Sequence, residues 1–106
     1  MANILPLSAL ADPTRLTLFE KLRNGPCSVG ELTKEVSVSQ PAVSQHLRVL
    51  KEARLVQMRK AGNQRIYSLN PEGLIELRQF VDELWDDVLA AFEEAAEKEQ
   101  EERNDD

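Results

Sequence analysis

Gln40, Ser44, Gln45 and Arg48, with Lys51 a turn beyond, put an amide pair, a hydroxyl and two cations on one short stretch at helical spacing. A carboxamide can pair with the edge of adenine, a guanidinium with guanine or a phosphate, and a hydroxyl with either groove, so these types suit recognition of nucleic acid rather than bond cleavage. A second group, Arg59, Lys60, Gln64 and Arg65, follows closely in sequence. Between Arg48 and Arg65 six cations face a single anion, Glu52. The whole chain carries a net charge of −6, which taken alone argues against a polyanionic partner. That average conceals an asymmetry: residues 12–69 hold ten Lys/Arg against five Asp/Glu, and residues 70–106 hold three against fourteen. Local sign governs phosphate binding more than the total does.

Catalytic chemistry has little to stand on. No Ser/His/Asp or Cys/His set, phosphate-binding loop or metal constellation is visible, so no catalytic residue, metal ligand or cofactor is assigned. Cys27 is the single cysteine and His46 the single histidine. Cys27 precedes the N-cap residue Ser28, where pairing with Leu32 makes a hydrophobic staple. His46 falls on the flank shared by Ala42, Val49 and Ala53, which makes it a half-buried structural histidine before a DNA-backbone contact or a pH switch. Asp82, Glu83, Asp86 and Asp87 are spaced as the solvated face of a helix.

The elements that must position the donors follow from capping and periodicity. Ser39 is an N-cap and Pro41 falls in the first turn, where a missing N–H costs little. A helix from Ser39 to Arg54 places Val43, Leu47, Leu50 and Arg54 on one line and Pro41, Gln45, Arg48 and Glu52 nearly opposite, flanked by Ser44 and Lys51. Ahead of it, residues 3–10 form a short first helix limited by Pro6. Asp12-Pro13 opens a helix over residues 13–24, and the capping box of Ser28 and Glu31 opens another that ends near Ser37. Ser37-Val38 is then a tight connection, and two helices so joined make a helix-turn-helix. From Leu55 the period becomes alternating around a Gly62-Asn63 turn, a β-hairpin basic towards its tip. The architecture is mainly α: a winged helix-turn-helix of about five helices plus a two-stranded β-hairpin.

Asn70-Pro71 opens the last helix, in which Leu74, Leu77, Val81, Leu84, Val88, Ala91 and Ala95 repeat at alternating spacings of three and four. That is a heptad seam, widened by Phe80, Trp85, Leu89 and Phe92. From Pro71 to Ala96 it would extend roughly 39 Å, more than so small a domain can cover, so a second copy of the chain is the economical partner. Residues 1–96 form the DNA-binding and dimerisation domain, and the charged stretch 97–106 forms a disordered tail.

Composition agrees with a single soluble domain: 42% hydrophobic, 30% charged, and no apolar run near the roughly 20 residues of a membrane span. No signal-peptide pattern opens the chain, and the lone cysteine fits a reducing cytoplasm.

With these residues in hand, the chain resembles the arsenical-resistance repressor (ArsR/SmtB) family of winged-helix regulators over about residues 7–92. The carriers are Leu10-Ala-Asp-Pro-Thr-Arg-Leu16, Ser28-Val-Gly-Glu-Leu32, Val38-Ser-Gln-Pro-Ala-Val-Ser-Gln-His-Leu47, Leu50, Leu55-Val56 and Arg65-Ile-Tyr-Ser-Leu69. The resemblance implies a homodimer joined through the first and last helices, here Leu5 and Leu7 with Leu74, Leu77, Phe80, Val81, Leu84, Trp85 and Val88. It also implies a palindromic double-stranded DNA operator, often at the protein's own promoter. Gln40, Ser44 and Gln45 match the family's groove-reading positions, and Arg59, Lys60, Gln64 and Arg65 its wing.

Departures from the family pattern bear on regulation. Metal-sensing members carry two cysteines where this chain has Ser28 and Gly30. Others carry an Asp-x-His and a later His pair on the last helix, where approximate register offers Pro71, Gly73, Leu84 and Asp87. The resemblance therefore points to a metal-independent, autorepressor-like member. A small hydrophobic effector between subunits, lined by Phe80, Trp85 and Phe92, stays open beside the dimer-core reading of that stripe. A winged-helix module that docks protein rather than specific DNA is the alternative function.

Overall fold

The computed structural model of the protein describes residues 5–104. Three caps start three of its helices. Asp12 accepts from the Arg15 backbone N–H at 3.0 Å ahead of α2 (Pro13–Leu22), and Ser28 and Glu31 complete a reciprocal capping box at α3 (Val29–Thr33). Ser39 accepts from the Ala42 N–H at 3.4 Å ahead of α4 (Gln40–Glu52). Each satisfies an amide that a helix start leaves unpaired. A short α1 (Leu5–Leu10) precedes them, with Pro6 buried in its first turn; residues 3 and 4 of the expected helix lie outside the described residues.

Two expected boundaries move. Helix α3 ends at Thr33 rather than near Ser37, and residues 34–39 make a longer connection than Ser37-Val38 alone. The Thr33 hydroxyl donates back to the Val29 carbonyl at 2.7 Å, and the next amides reach carbonyls three residues back, Lys34 to Glu31 and Glu35 to Leu32. Such bonds wind the chain tighter than an α-helix, and the Val-Ser-Val-Ser sequence that follows has weak helix propensity. Helix α2 likewise stops at Leu22, and the chain turns through Gly25 at φ +133°.

A third, short strand joins the expected two-stranded hairpin. Strand β1 (Cys27–Ser28) joins β2 (Val56–Ala61) and β3 (Gln64–Leu69) in an antiparallel sheet of order β1-β3-β2. Cys27 pairs with Tyr67 and Ser28 with Ile66. A strand of two residues has no room to show alternation, and Ser28 announces itself as a helix cap. In the hairpin, Val56 faces Leu69, Met58 faces Tyr67 and Lys60 faces Arg65, while Arg59 pairs with Ile66 on the other side. Gly62, at φ +63°, is the first central residue of the two-residue turn, the position that requires glycine in a type II′ hairpin.

The core gathers Ala9, Leu18, Leu22, Leu32, Val43, Leu47, Leu50, Ala53, Leu55, Val56 and Tyr67, so every described element except the body of α5 supplies it. Cys27 and Leu32 are both members, as a staple requires. At the end of α4, Arg54 leaves the buried line expected of it and adopts φ +64°. The Arg54 amide reaches the Lys51 carbonyl and the Leu55 amide the Leu50 carbonyl, a Schellman ending with arginine where glycine is usual. Its guanidinium turns outward to Glu76 at 3.3 Å and Glu72 at 3.8 Å.

Helix α5 (Pro71–Asn104) is 34 residues long and docks by its first turns only. Gly73 is buried against the Arg54 backbone so closely that a Cβ there would stand 1.6 Å from the Arg54 carbonyl oxygen. Leu74 and Leu77 pack on the core. Beyond them the helix projects, giving the molecule a long dimension of 74 Å. The stretch from residue 97, expected to be a disordered tail, continues the helix as far as Asn104: its Glu, Lys, Gln and Arg residues are strong helix formers, and Glu99 pairs with Arg103 one turn on at 3.2 Å.

Candidate nucleic-acid interface

Helix α4 divides cleanly. Val43, Leu47 and Leu50 are fully buried, whereas Gln40, Pro41, Gln45, Arg48 and Lys51 are exposed and Ser44 is half-buried. The buried line fixes the rotation of the helix, and the polar side chains are aimed outward as its consequence. The hairpin lies alongside. Its face shared by Val56, Met58 and Tyr67 is buried or half-buried near the core, but the same face runs beyond the core at the tip, where the paired residues are Lys60 and Arg65. Strand parity thus turns two cations towards α4.

Between helix and hairpin lies an open cleft of about 440 Å³. Ser44, Gln45, Arg48 and Lys51 line it from α4, and Met58, Lys60, Arg65 and Tyr67 from the hairpin. Four cations over an apolar floor, with no carboxylate among the lining residues, make a seat for a polyanionic strand. A neighbouring cleft of about 380 Å³ joins Gln40 and Ser44 to Asn63, Gln64 and Arg65 at the hairpin tip, and to Ser28, Val29 and Gly30. Ser44 and Arg65 belong to both.

Most of the residues singled out by sequence therefore converge. Gln40, Ser44, Gln45, Arg48, Lys51, Lys60, Gln64 and Arg65 line one cleft or the other. Ser39 and Pro41 sit at the start of α4, where Ser39 acts as the cap. Arg59, on the opposite strand face from Lys60 and Arg65, lines neither. Sequence reading missed Met58, Asn63 and Tyr67. Tyr67 shares the alternation of Arg65, so parity alone could have placed it; Asn63 was legible only as a turn residue.

The other candidate surface is the apolar one. On α5, Val81 is 44% exposed, Leu84 51%, Trp85 61% and Phe92 68%. On α1, Leu5 and Leu7 are likewise exposed. Phe80, Val88, Leu74 and Leu77 are half-buried, and Leu74 and Leu77 also pack against the protein's own core.

His46 is half-buried on the flank of α4, its Nδ1 3.4 Å from Nη1 of Arg15. Asp12 is held below the ordinary carboxylate value, first by the Arg15 amide hydrogen bond and further by the charge of Arg15, against an opposing push from burial. Burial first, then the nearby Glu31 carboxylate, pushes the Cys27 thiol up. A thiol so placed is a poor nucleophile at neutral pH. Among the described residues no group of three His, Cys, Asp or Glu side chains converges to hold a metal ion, and no helix is long and apolar enough to cross a membrane.

Comparison with known proteins agrees with this geometry. Residues 12–58 match the model of the "bacterial regulatory protein, arsR family", a span running from the cap of α2 into β2. An HTH-type transcriptional regulator of Mycobacterium tuberculosis is 52% identical over 84 residues, covering 79% of this chain and 78% of its own. The arsenical resistance operon repressor of Staphylococcus xylosus is 37% identical over 76 residues, covering 72% and 73%. A crystal structure of a possible transcriptional regulator for arsenical resistance superposes with a TM-score of 0.70 at 43% identity, covering 80% of this chain and 93% of the other.

Proposed function

We propose, from the premise that the chain belongs to the arsR family of bacterial regulatory proteins, that it represses transcription as a homodimer bound to a palindromic operator. Family membership makes it a DNA-binding transcriptional regulator; the operator's symmetry and the roles of individual residues are the proposal. The observation that supports it most is the convergence of Arg48 and Lys51 of α4 with Lys60 and Arg65 of the hairpin over one cleft.

In this reading the outward edge of α4 enters the major groove. Gln40, Ser44 and Gln45 read base edges, while Arg48, Lys51, Lys60 and Arg65 neutralise phosphates. Two copies, joined along α5 and α1 through Leu84, Trp85, Val81, Leu5 and Leu7, present their α4 helices to successive grooves about 34 Å apart. Residues 1–96 act as the DNA-binding and dimerisation unit in the cytoplasm, and an occupied promoter is closed to polymerase.

The regulator works without a metal at α3. The Ser28 hydroxyl is engaged with Glu31, accepting from its backbone amide at 3.1 Å and meeting its carboxylate at 3.1 Å, and Gly30 has no side chain to offer. A tightly bound metal in purified, DNA-competent protein would contradict this part of the proposal.

A gel shift with DNA from upstream of the protein's own gene tests the whole. The expected result is a sequence-specific complex at moderate salt whose affinity falls steeply as salt rises, because neutralised phosphates release counterions. Failure to discriminate that DNA from an unrelated fragment would sink the proposal.

A further inference from the structure

We infer that Arg15 is the positioning residue that sets helix α4 against helix α1, holding both through one guanidinium. The inference rests on the proposed dimeric, DNA-bound reading and adds to it the side chains that fix the angle of the reading helix. Arg15 Nε donates to the Ala9 carbonyl at 2.7 Å, in the last turn of α1. Its Nη1 lies 3.4 Å from Nδ1 of His46, a partner 31 residues away on α4. Its own backbone N–H is bonded to the Asp12 carboxylate, so the base of the side chain is anchored as well.

A guanidinium only donates, so His46 Nδ1 is the acceptor in this pair. The fork is planar, and its Nε and Nη directions are fixed relative to one another. Two acceptors on one fork are therefore held in both distance and angle, which a flexible ammonium cannot do. Helix α1 supplies no charged residue that could replace it.

The site lies between the two surfaces that matter in the dimeric reading. Leu5 and Leu7 stand exposed within the turn that precedes Ala9, and Gln45 and Arg48 lie on either side of His46 on α4. The core fixes the rotation of α4 about its own axis, but a small change of its tilt against α1 would still displace those reading side chains. Without the Arg15 fork, each subunit keeps its recognition surface, but the separation and tilt of the two surfaces become less defined. The readout is therefore the spacing between half-sites rather than affinity for one half-site.

The test selects DNA from a random pool with the native full-length chain, then varies the spacer between half-sites one base pair at a time. Four proteins are compared: native, Arg15→Lys, His46→Leu and His46→Asn. The native protein should favour one spacing sharply. Arg15→Lys and His46→Leu should bind that spacing about tenfold more weakly and show a flattened spacing profile, the scale expected of one broken side-chain coupling. Their single half-site affinity and thermal midpoint should stay close to native. His46→Asn should restore the sharp profile, because its amide oxygen can accept where Nδ1 did. A native-like profile in Arg15→Lys and His46→Leu overturns the inference, as does a His46→Asn profile as flat as that of His46→Leu. Should Arg15→Lys fail to fold, the His46 pair decides. If the native protein selects no DNA at all, the proposed function falls and this inference with it, a result distinct from an unchanged profile.

Discussion

Helices α4 and α5 are both amphipathic, yet α4 buries its apolar line completely within the chain whereas α5 leaves most of its own in solvent. Val43, Leu47 and Leu50 are 0% exposed; Leu84, Trp85 and Phe92 are all more than half exposed. The orientation of α4 is thus settled by the single chain, through a core that admits one rotation. That of α5 is settled by the chain only as far as Leu77. A contiguous apolar stripe left exposed on a protein's surface marks an interaction surface. The polar face can be read from one copy of the chain, while in the proposed dimer the long helix is completed by a second.

The contrast can be broken most forcefully at the core. Leu47→Ala should cost about 2–5 kcal/mol of unfolding free energy, the usual range for a fully buried leucine, measured by urea titration. Trp85→Ala, although it removes a larger side chain, should change the unfolding of the isolated subunit by about 0.5 kcal/mol or less. Its effect should appear in sedimentation instead, as weaker self-association. Comparable destabilisation by the two substitutions would erase the distinction between the helices.

The joint between them comes next. Gly73→Ala forces a Cβ into the Arg54 carbonyl, so α5 must shift on the end of α4, at a cost of about 1–3 kcal/mol typical of overpacking. Arg48→Ala should leave the fold intact and act on DNA alone. Binding should weaken, and the slope of log affinity against log salt should flatten by about 0.9 for each phosphate no longer neutralised. A salt slope identical to native would remove Arg48 from the residues that hold the DNA backbone.

The smallest effect is a pH dependence at the cap of α2. Asp12 is held below its ordinary value of 3.8 in the folded state, so it binds fewer protons folded than unfolded at that pH. Its contribution is then present in full above 3.8 and disappears as pH falls through the lower folded value. The stability difference between native protein and Asp12→Ala, followed by thermal melts, should be constant near neutrality and shrink in acid. A difference that grew on acidification would reverse the assignment.

Much of this was legible in the sequence because it is written locally. Asp12, Ser28 and Ser39 announce three helix starts, and the period of Val43, Leu47 and Leu50 gives the buried face of α4. What escaped is what depends on partners distant in sequence. Strand β1 exists only because Tyr67 and Ile66 lie beside Cys27 and Ser28, and two residues carry no period of their own. Arg59, grouped by sequence with Lys60, falls on the opposite strand face, since neighbours in a strand point apart. Arg54 has the spacing of the buried line, yet the Schellman ending takes it out of the helix. The approach of Arg15 to His46 carries no sequence signal, because nothing local requires either residue to meet the other. The last turns of α5 read as a solvated tail from charge alone, whereas their residue types favour helix.

In the proposed dimer, the α4 surface recognises DNA specifically only when α5 joins two copies. The direct measurement combines sedimentation equilibrium with operator titration for the double substitution Leu84→Glu and Trp85→Glu, both at positions exposed in the single chain. The expected result is a folded monomer with native helical circular dichroism that has lost preference for the operator and retains weak, salt-sensitive binding to any DNA. A monomer that binds the operator with native affinity and specificity would contradict it.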